Sequence, residues 1–61
     1  MTPDEFKEMR QQLGYTQVGL ADYLGVTDRA VRRWEAGDRK IDPPAAVALE
    51  LMVRLANYQY L

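Results

Sequence analysis

Residues 17–36 read QVGLADYLGVTDRAVRRWEA, two short segments that meet at Gly25. A helix advances about 100° per residue, so Asp28, Arg32, Ala36, Arg29 and Arg33 fall within an arc of about 140° on the second segment. Ala30, Val31 and Trp34 occupy the opposite arc with Glu35 at its border, which gives this helix one apolar side to bury. Leu20, Leu24, Val26, Val31 and Trp34 would close a small core between the two helices, and Ala21 is small enough for a close crossing. Gly25 permits the positive φ of a tight turn. An ordinary helical hairpin shares the apolar pattern. The glycine turn between capped helices, joined to an outward arginine face, favours a helix pair shaped for the major groove of DNA.

Outward from this pair the pattern stays helical. Thr2-Pro3-Asp4-Glu5 has the form of a capping box with proline at the first helical position. Phe6, Met9, Arg10 and Leu13 then share one face, and Gly14 is placed to end that helix. Thr16 caps the second helix and Thr27 the third, which runs to about Ala36 before Gly37. Asp42-Pro43-Pro44 forms a turn and starts a long apolar helix over about 44–58. The expectation is an all-α chain, a compact bundle of four to five short helices without repeats, linker or low-complexity tract. With 61 residues it reads as a single domain, 1–61, near the lower limit at which one core sustains folding unaided.

The formal net charge of −1 argues against a nucleic-acid partner until its distribution is considered. From Asp28 to Lys40, five basic residues (Arg29, Arg32, Arg33, Arg39, Lys40) face three acidic ones, while the remainder carries three against six. A duplex meets the local field on and after the third helix, not the total. A solvated helix face also carries such charges.

Other classes lack parts. The chain has no Cys and no His, so disulfides, thiol or imidazole catalysis and common zinc spacings are excluded. Asp4, Glu5, Glu8, Asp22, Asp38, Asp42 and Glu50 are scattered, with no base, nucleophile, metal cluster or phosphate loop, so no enzyme, cofactor, metal or small-molecule ligand is expected. The acidic start MTPDEF is unlike a secretory signal, and no apolar run approaches the ~20 residues of a membrane span. The expected setting is soluble and cytoplasmic, with no effector-binding domain.

The stretch LGYTQVGLADYLGVTDRAVRRWEAGDRK resembles the phage repressor and Cro-like helix-turn-helix family, also called the XRE type. The likeness covers about the first forty residues. Its marks are Leu13-Gly14, Thr16-Gln17, Leu20-Ala21, Leu24-Gly25-Val26 and Trp34-Glu35-Ala36-Gly37. It implies a lambda repressor-like fold, a bacterial or phage origin, and a transcriptional regulator that binds double-stranded DNA. A repressor occupying a pseudo-palindromic operator as a homodimer is its simplest form. The alternative is an antitoxin-like or other protein-interaction module that keeps the fold, which suits the apolar tail and acidic total.

Carried over by position, the resemblance implies base contacts from Asp28, Arg29, Arg32 and Arg33. Arg29 and Arg33 are the foremost candidates, because an arginine can bind guanine O6 and N7 together. Asp28 could accept from cytosine N4 or simply favour the helix dipole. Thr16, Gln17, Thr27, Arg39 and Lys40 fall where the family meets the DNA backbone, Gln17 through its side chain and amide at a helix start. An Arg10 to Glu35 ion pair is expected, since Arg10 lies on an inward face, Glu35 borders the buried arc, and the family often has one there. Trp34 reads as core. Gly19 departs from the family, in whose second helix a better helix former is usual, at a cost of up to ~1 kcal/mol.

The last helix, PAAVALELMVRLA from Pro44 to Ala56, is apolar nearly all round, and such a helix needs two covering surfaces. Glu50 and Arg54 are its charges, spaced as an i to i+4 pair. Val47, Leu51 and Leu55 are expected on the domain's own helices, leaving some of Leu49, Met52, Val53, Ala56, Tyr58, Tyr60 and Leu61 for a second protomer.

Overall fold

Three threonine hydroxyls set where three helices begin. In the computed structural model, which describes residues 1–58, Thr2 caps α1 (Pro3–Gln12), Thr16 caps α2 (Gln17–Leu24) and Thr27 caps α3 (Asp28–Ala36). Each hydroxyl accepts the backbone N–H three residues on, from Glu5, Gly19 and Ala30 respectively, which satisfies a donor that the first helical turn leaves open. At Thr2 the box is complete, with the Thr2 N–H donating to Glu5 Oε1 at 2.8 Å. The fourth helix, α4, is Pro43–Tyr58, and the described residues contain no strand. It starts one residue earlier than the sequence pattern placed it.

Each of the first three helices is followed by a glycine at positive φ, and two of these turns frame the helix pair. Gly25 has φ 74° at the end of α2, and Gly37 has φ 80° at the end of α3, both in the left-handed region that side chains resist. Through Gly25 the chain reverses tightly enough for α2 and α3 to pack on one another. α1 lies across α3 and α4.

The core is built from one or two residues per element: Phe6 of α1, Leu20 and Ala21 of α2, Val31 and Trp34 of α3, Ile41 of the following loop, Ala45 and Leu49 of α4. Phe6, Leu20, Val31 and Leu49 are completely enclosed. Burial of each such side chain contributes about 1.5–3 kcal/mol. Phe6 and Trp34 meet edge to face with ring centroids 5.7 Å apart, locking α1 to α3. Ile41 and Ala45 are core members that the sequence reading did not name, and Leu49 is one that it left for a second protomer; Ile41 lies outside any helix, so periodicity could not reach it. Its signal is a lone apolar residue directly before Asp42-Pro43, placed to pack where the next helix begins.

α4 is rotated relative to expectation. Leu49, expected among residues left for a second protomer, is 0% exposed, and Met52, Val53 and Ala56 are half-buried. Val47, Leu51 and Leu55, expected against the domain's own helices, are instead 55%, 50% and 65% exposed. Two apolar stripes run along this helix at helical spacing, 45/49/52/56 and 47/51/55/58. The first carries the small Ala45 and Ala56, so the helix axis can approach the core more closely on that side. Tyr58, also expected among residues left for a second protomer, is exposed, while Tyr60 and Leu61 lie outside the described residues. The i to i+4 pair expected of Glu50 and Arg54 is not formed among the described residues.

Candidate nucleic-acid interface

α3 divides into an inward and an outward side. Val31 and Trp34 are enclosed, while Arg29, Arg32, Arg33 and Ala36 are exposed and Asp28 is half-buried. The three guanidinium groups stand on the arc that the helical wheel assigned to them. Burial of the opposite arc is what holds them outward, since α3 cannot roll without exposing Trp34.

Within this face one pair is already engaged. Arg32 Nη2 lies 3.0 Å from Asp28 Oδ2, with both side chains about half exposed at 59% and 45%. The i to i+4 spacing of Asp and Arg is the sequence signal for it. The contact occupies a nitrogen of Arg32 and a carboxylate oxygen of Asp28, so neither enters the outer face as an isolated charge. Arg29 and Arg33 form no ion pair among the described residues and present their full fork.

Beneath the face sits a buried polar joint. Arg10 Nε donates to Glu35 Oε2 at 2.7 Å and its Nη2 donates to Glu35 Oε1 at 2.9 Å, joining α1 to the last turn of α3. Side-chain exposure is 9% for Arg10 and 4% for Glu35. The Glu35 hydrogen bonds raise the Arg10 pKa above its ordinary value, against the opposing effect of burial. Arg10 Nη1 donates to the Tyr15 carbonyl at 2.9 Å, so the same guanidinium holds the loop that leads into α2.

Gln17 completes the joint. Its Nε2 donates to Glu35 Oε1 at 3.2 Å, so the side chain expected at a phosphate is tied inward to the reading helix. One further amide hydrogen remains on that nitrogen, and the backbone N–H of Gln17 stands in the first turn of α2. Thr16 and Thr27 are exposed, and each cap uses the hydroxyl oxygen as acceptor, leaving the hydroxyl hydrogen to donate. Arg39 and Lys40 are exposed in the loop after α3.

The exposed positions therefore comprise two helix starts carrying unpaired N–H groups, three arginines on α3, and Arg39 and Lys40 in the loop beyond it. Helix N-termini and arginine forks are both suited to phosphate oxygens, and the forks also to guanine edges. Among the described residues no group of three or more Asp, Glu, His or Cys is placed to hold a metal ion, and no helix is long and apolar enough to cross a membrane. Gly19 has a local reason: a Cβ there would stand 3.1 Å from the Thr16 hydroxyl oxygen and 3.6 Å from the Tyr15 ring, crowding the cap.

Comparison with known proteins agrees with this geometry. A family model described as helix-turn-helix matches residues 6–57. A Pyrococcus furiosus protein whose name places it among HTH-type transcriptional regulatory proteins is 34% identical over 47 residues, which are 77% of this chain and 15% of that protein. The chain therefore spans only a small part of the relative's length. No solved structure gives a significant match.

Proposed function

Because the chain belongs to the XRE-type helix-turn-helix family, we propose that it is a sequence-specific regulator of transcription that binds double-stranded DNA. Residues 1–61 act as one DNA-binding domain in the cytoplasm, with α3 in the major groove and α4 contributing to a homodimer. The single observation that carries the reading is the division of α3, with Arg29, Arg32 and Arg33 exposed over a completely buried Val31 and a Trp34 that is 1% exposed.

Docked by that face, Arg29 and Arg33 reach guanine edges, and Asp28 and Arg32 read bases as a pair. Thr16, Gln17, Thr27, Arg39 and Lys40 meet phosphates and set the register. A dimer placing two such helices one helical turn apart reads a pseudo-palindromic operator. Occupying that operator blocks polymerase, which makes repression the simplest outcome.

Selection of bound sites from a random duplex pool tests this. Enrichment of symmetric half-sites about one helical turn apart supports it, and a pool indistinguishable from its input overturns it. A dimer that neutralises about six to ten phosphates gives a log K against log salt slope of about −5 to −9. The exposed apolar side of α4 favours a second reading, a protein-interaction or antitoxin-like module. A shallow salt dependence together with no enriched site would select it.

A further inference from the structure

The Glu35 carboxylate accepts three hydrogen bonds from two side chains: Arg10 Nε at 2.7 Å on Oε2, then Arg10 Nη2 at 2.9 Å and Gln17 Nε2 at 3.2 Å on Oε1. With 4% of its side chain exposed, Glu35 is an anchor inside α3, and Gln17 is the half-buried first residue of α2. The Gln17 contact is the longest of the three, so Gln17 takes its position from the ion pair and not the reverse. A carboxylate only accepts, so the carboxamide must turn its nitrogen to Glu35, which leaves one N–H of that nitrogen outside the contact. Arg10 Nη1 holds the Tyr15 carbonyl, two residues before Gln17, at 2.9 Å. The guanidinium and carboxylate together therefore fix both the backbone that enters α2 and the side chain at its start.

We propose that Glu35 is a positioning residue for DNA binding, holding the Gln17 carboxamide so that its second N–H and the Gln17 backbone N–H donate to one phosphate. The proposal rests on the DNA-binding reading above and names what prepares its contact with the backbone. A free glutamine side chain turns about several torsions, and docking on a phosphate has to freeze them. Tied to Glu35, Gln17 has lost that freedom already when the domain folds, so docking no longer carries the cost. The ionised carboxylate also polarises the amide, which makes the remaining N–H a stronger donor. Base choice is separate from this joint. Arg29 and Arg33 stand on the exposed arc of α3, and Val31 and Trp34, 0% and 1% exposed, hold that helix in place without Glu35.

Methylphosphonate scanning, in which the phosphates of a selected duplex are made neutral one at a time, tests this well below the melting transition of each protein. Wild type is expected to lose affinity at several phosphates. Gln17→Met keeps the Arg10 to Glu35 pair and is expected to lose the response at one phosphate of each half-site, which identifies the one that Gln17 meets. Arg10→Met with Glu35→Leu removes the anchor without stranding a charge and leaves Gln17 in place. This double variant is expected to bind the unmodified duplex about two- to tenfold more weakly for each half-site, the effect of one side chain left to be ordered on docking. Its response at the Gln17 phosphate is expected to shrink, while its preference among single-base variants of the duplex matches wild type. A pair with a merely structural role lowers the melting temperature and singles out no phosphate. An undiminished response of the double variant at the Gln17 phosphate overturns the proposal. A base preference that moves together with that response also overturns it, because the pair then acts by orienting α3. If Gln17→Met responds as wild type does at every phosphate, the positioning role falls and the DNA reading stands; if wild type selects no duplex, both fall.

Discussion

Arg10 and Glu35, twenty-five positions apart in sequence, are joined by a two-pronged ion pair of 2.7 and 2.9 Å in the interior of the domain. Both charges are largely out of water, so each depends on the other for compensation. Glu35→Ala is expected to destabilise by about 3 to 5 kcal/mol, because it strands the Arg10 guanidinium and also removes the acceptor of Gln17. Urea unfolding followed by circular dichroism measures the difference. Arg10→Met with Glu35→Leu should cost much less than either single change to alanine, since no orphaned charge remains. Equal losses from the double and single variants would show that the pair contributes more than mutual neutralisation.

Asp28 and Arg32 behave differently because both are about half exposed. A pair of this kind contributes at most about 0.5 kcal/mol, so Asp28→Asn should leave the melting temperature within about a few degrees of wild type. DNA binding should respond more. Loss of a negative charge from the docking face raises affinity for unrelated duplexes, while release of Arg32 lowers discrimination at the base pair it reads. Competition binding with specific and random duplexes gives both quantities, and an unchanged ratio would remove Asp28 from the reading face.

Much of this was legible in the sequence, for identifiable reasons. Caps and glycine turns are local signals, so α1 to α3 could be placed from Thr2, Thr16, Thr27, Gly25 and Gly37 alone. The outward side of α3 was legible because its opposite arc is unambiguously apolar. α4 was not, because its 45/49/52/56 and 47/51/55/58 stripes have the same spacing and differ in side-chain size. The choice between them is tertiary, settled by how closely alanine lets the helix approach. The engagement of Gln17 with Glu35 is likewise a contact between helix ends, and no spacing rule along one element reveals it.

Arg33 and Lys40 are both exposed and basic, yet their settings differ. Arg33 sits on the reading helix in the arc with Arg29, whereas Lys40 lies in the loop beyond it. Arg33→Ala should cost about 1 to 3 kcal/mol on the preferred site and relax preference at one base pair in each half-site. Lys40→Ala should weaken all duplexes about equally and make the salt slope shallower by about one for each protomer. Binding isotherms over a set of single-base operator variants separate the two patterns. A uniform loss from both changes would place Arg33 on the backbone.

Glu5 offers a pH test at the other end of the chain. The Thr2 backbone N–H, followed by the Thr2 side chain, holds the Glu5 carboxyl below its ordinary range. A folded value below the unfolded one means that the contribution to stability is present above the unfolded pKa, about 4.3, and is lost as pH falls through the folded value. Wild type should therefore lose a part of its stability on acidification that Glu5→Gln does not, as read from melting temperatures between about pH 6 and 3. Parallel curves would show that the capping box does not depend on the ionised carboxylate.

Gly25 separates backbone cost from crowding. A Cβ built there meets nothing within 4 Å, yet φ is 74°, so any penalty for a side chain comes from the left-handed conformation itself. Gly25→Ala is expected to destabilise by about 1 to 2 kcal/mol, and Gly25→Asn by less, because asparagine tolerates this region. For a domain of this size each kcal/mol lowers the melting temperature by about 4 to 8 °C. The turn also sets the angle between α2 and α3, so the two variants should rank in the same order for operator affinity measured below their transitions. If alanine were accepted without loss, the turn would have to be reachable with negative φ, and the tight crossing of α2 on α3 would no longer account for how the arginine face is presented.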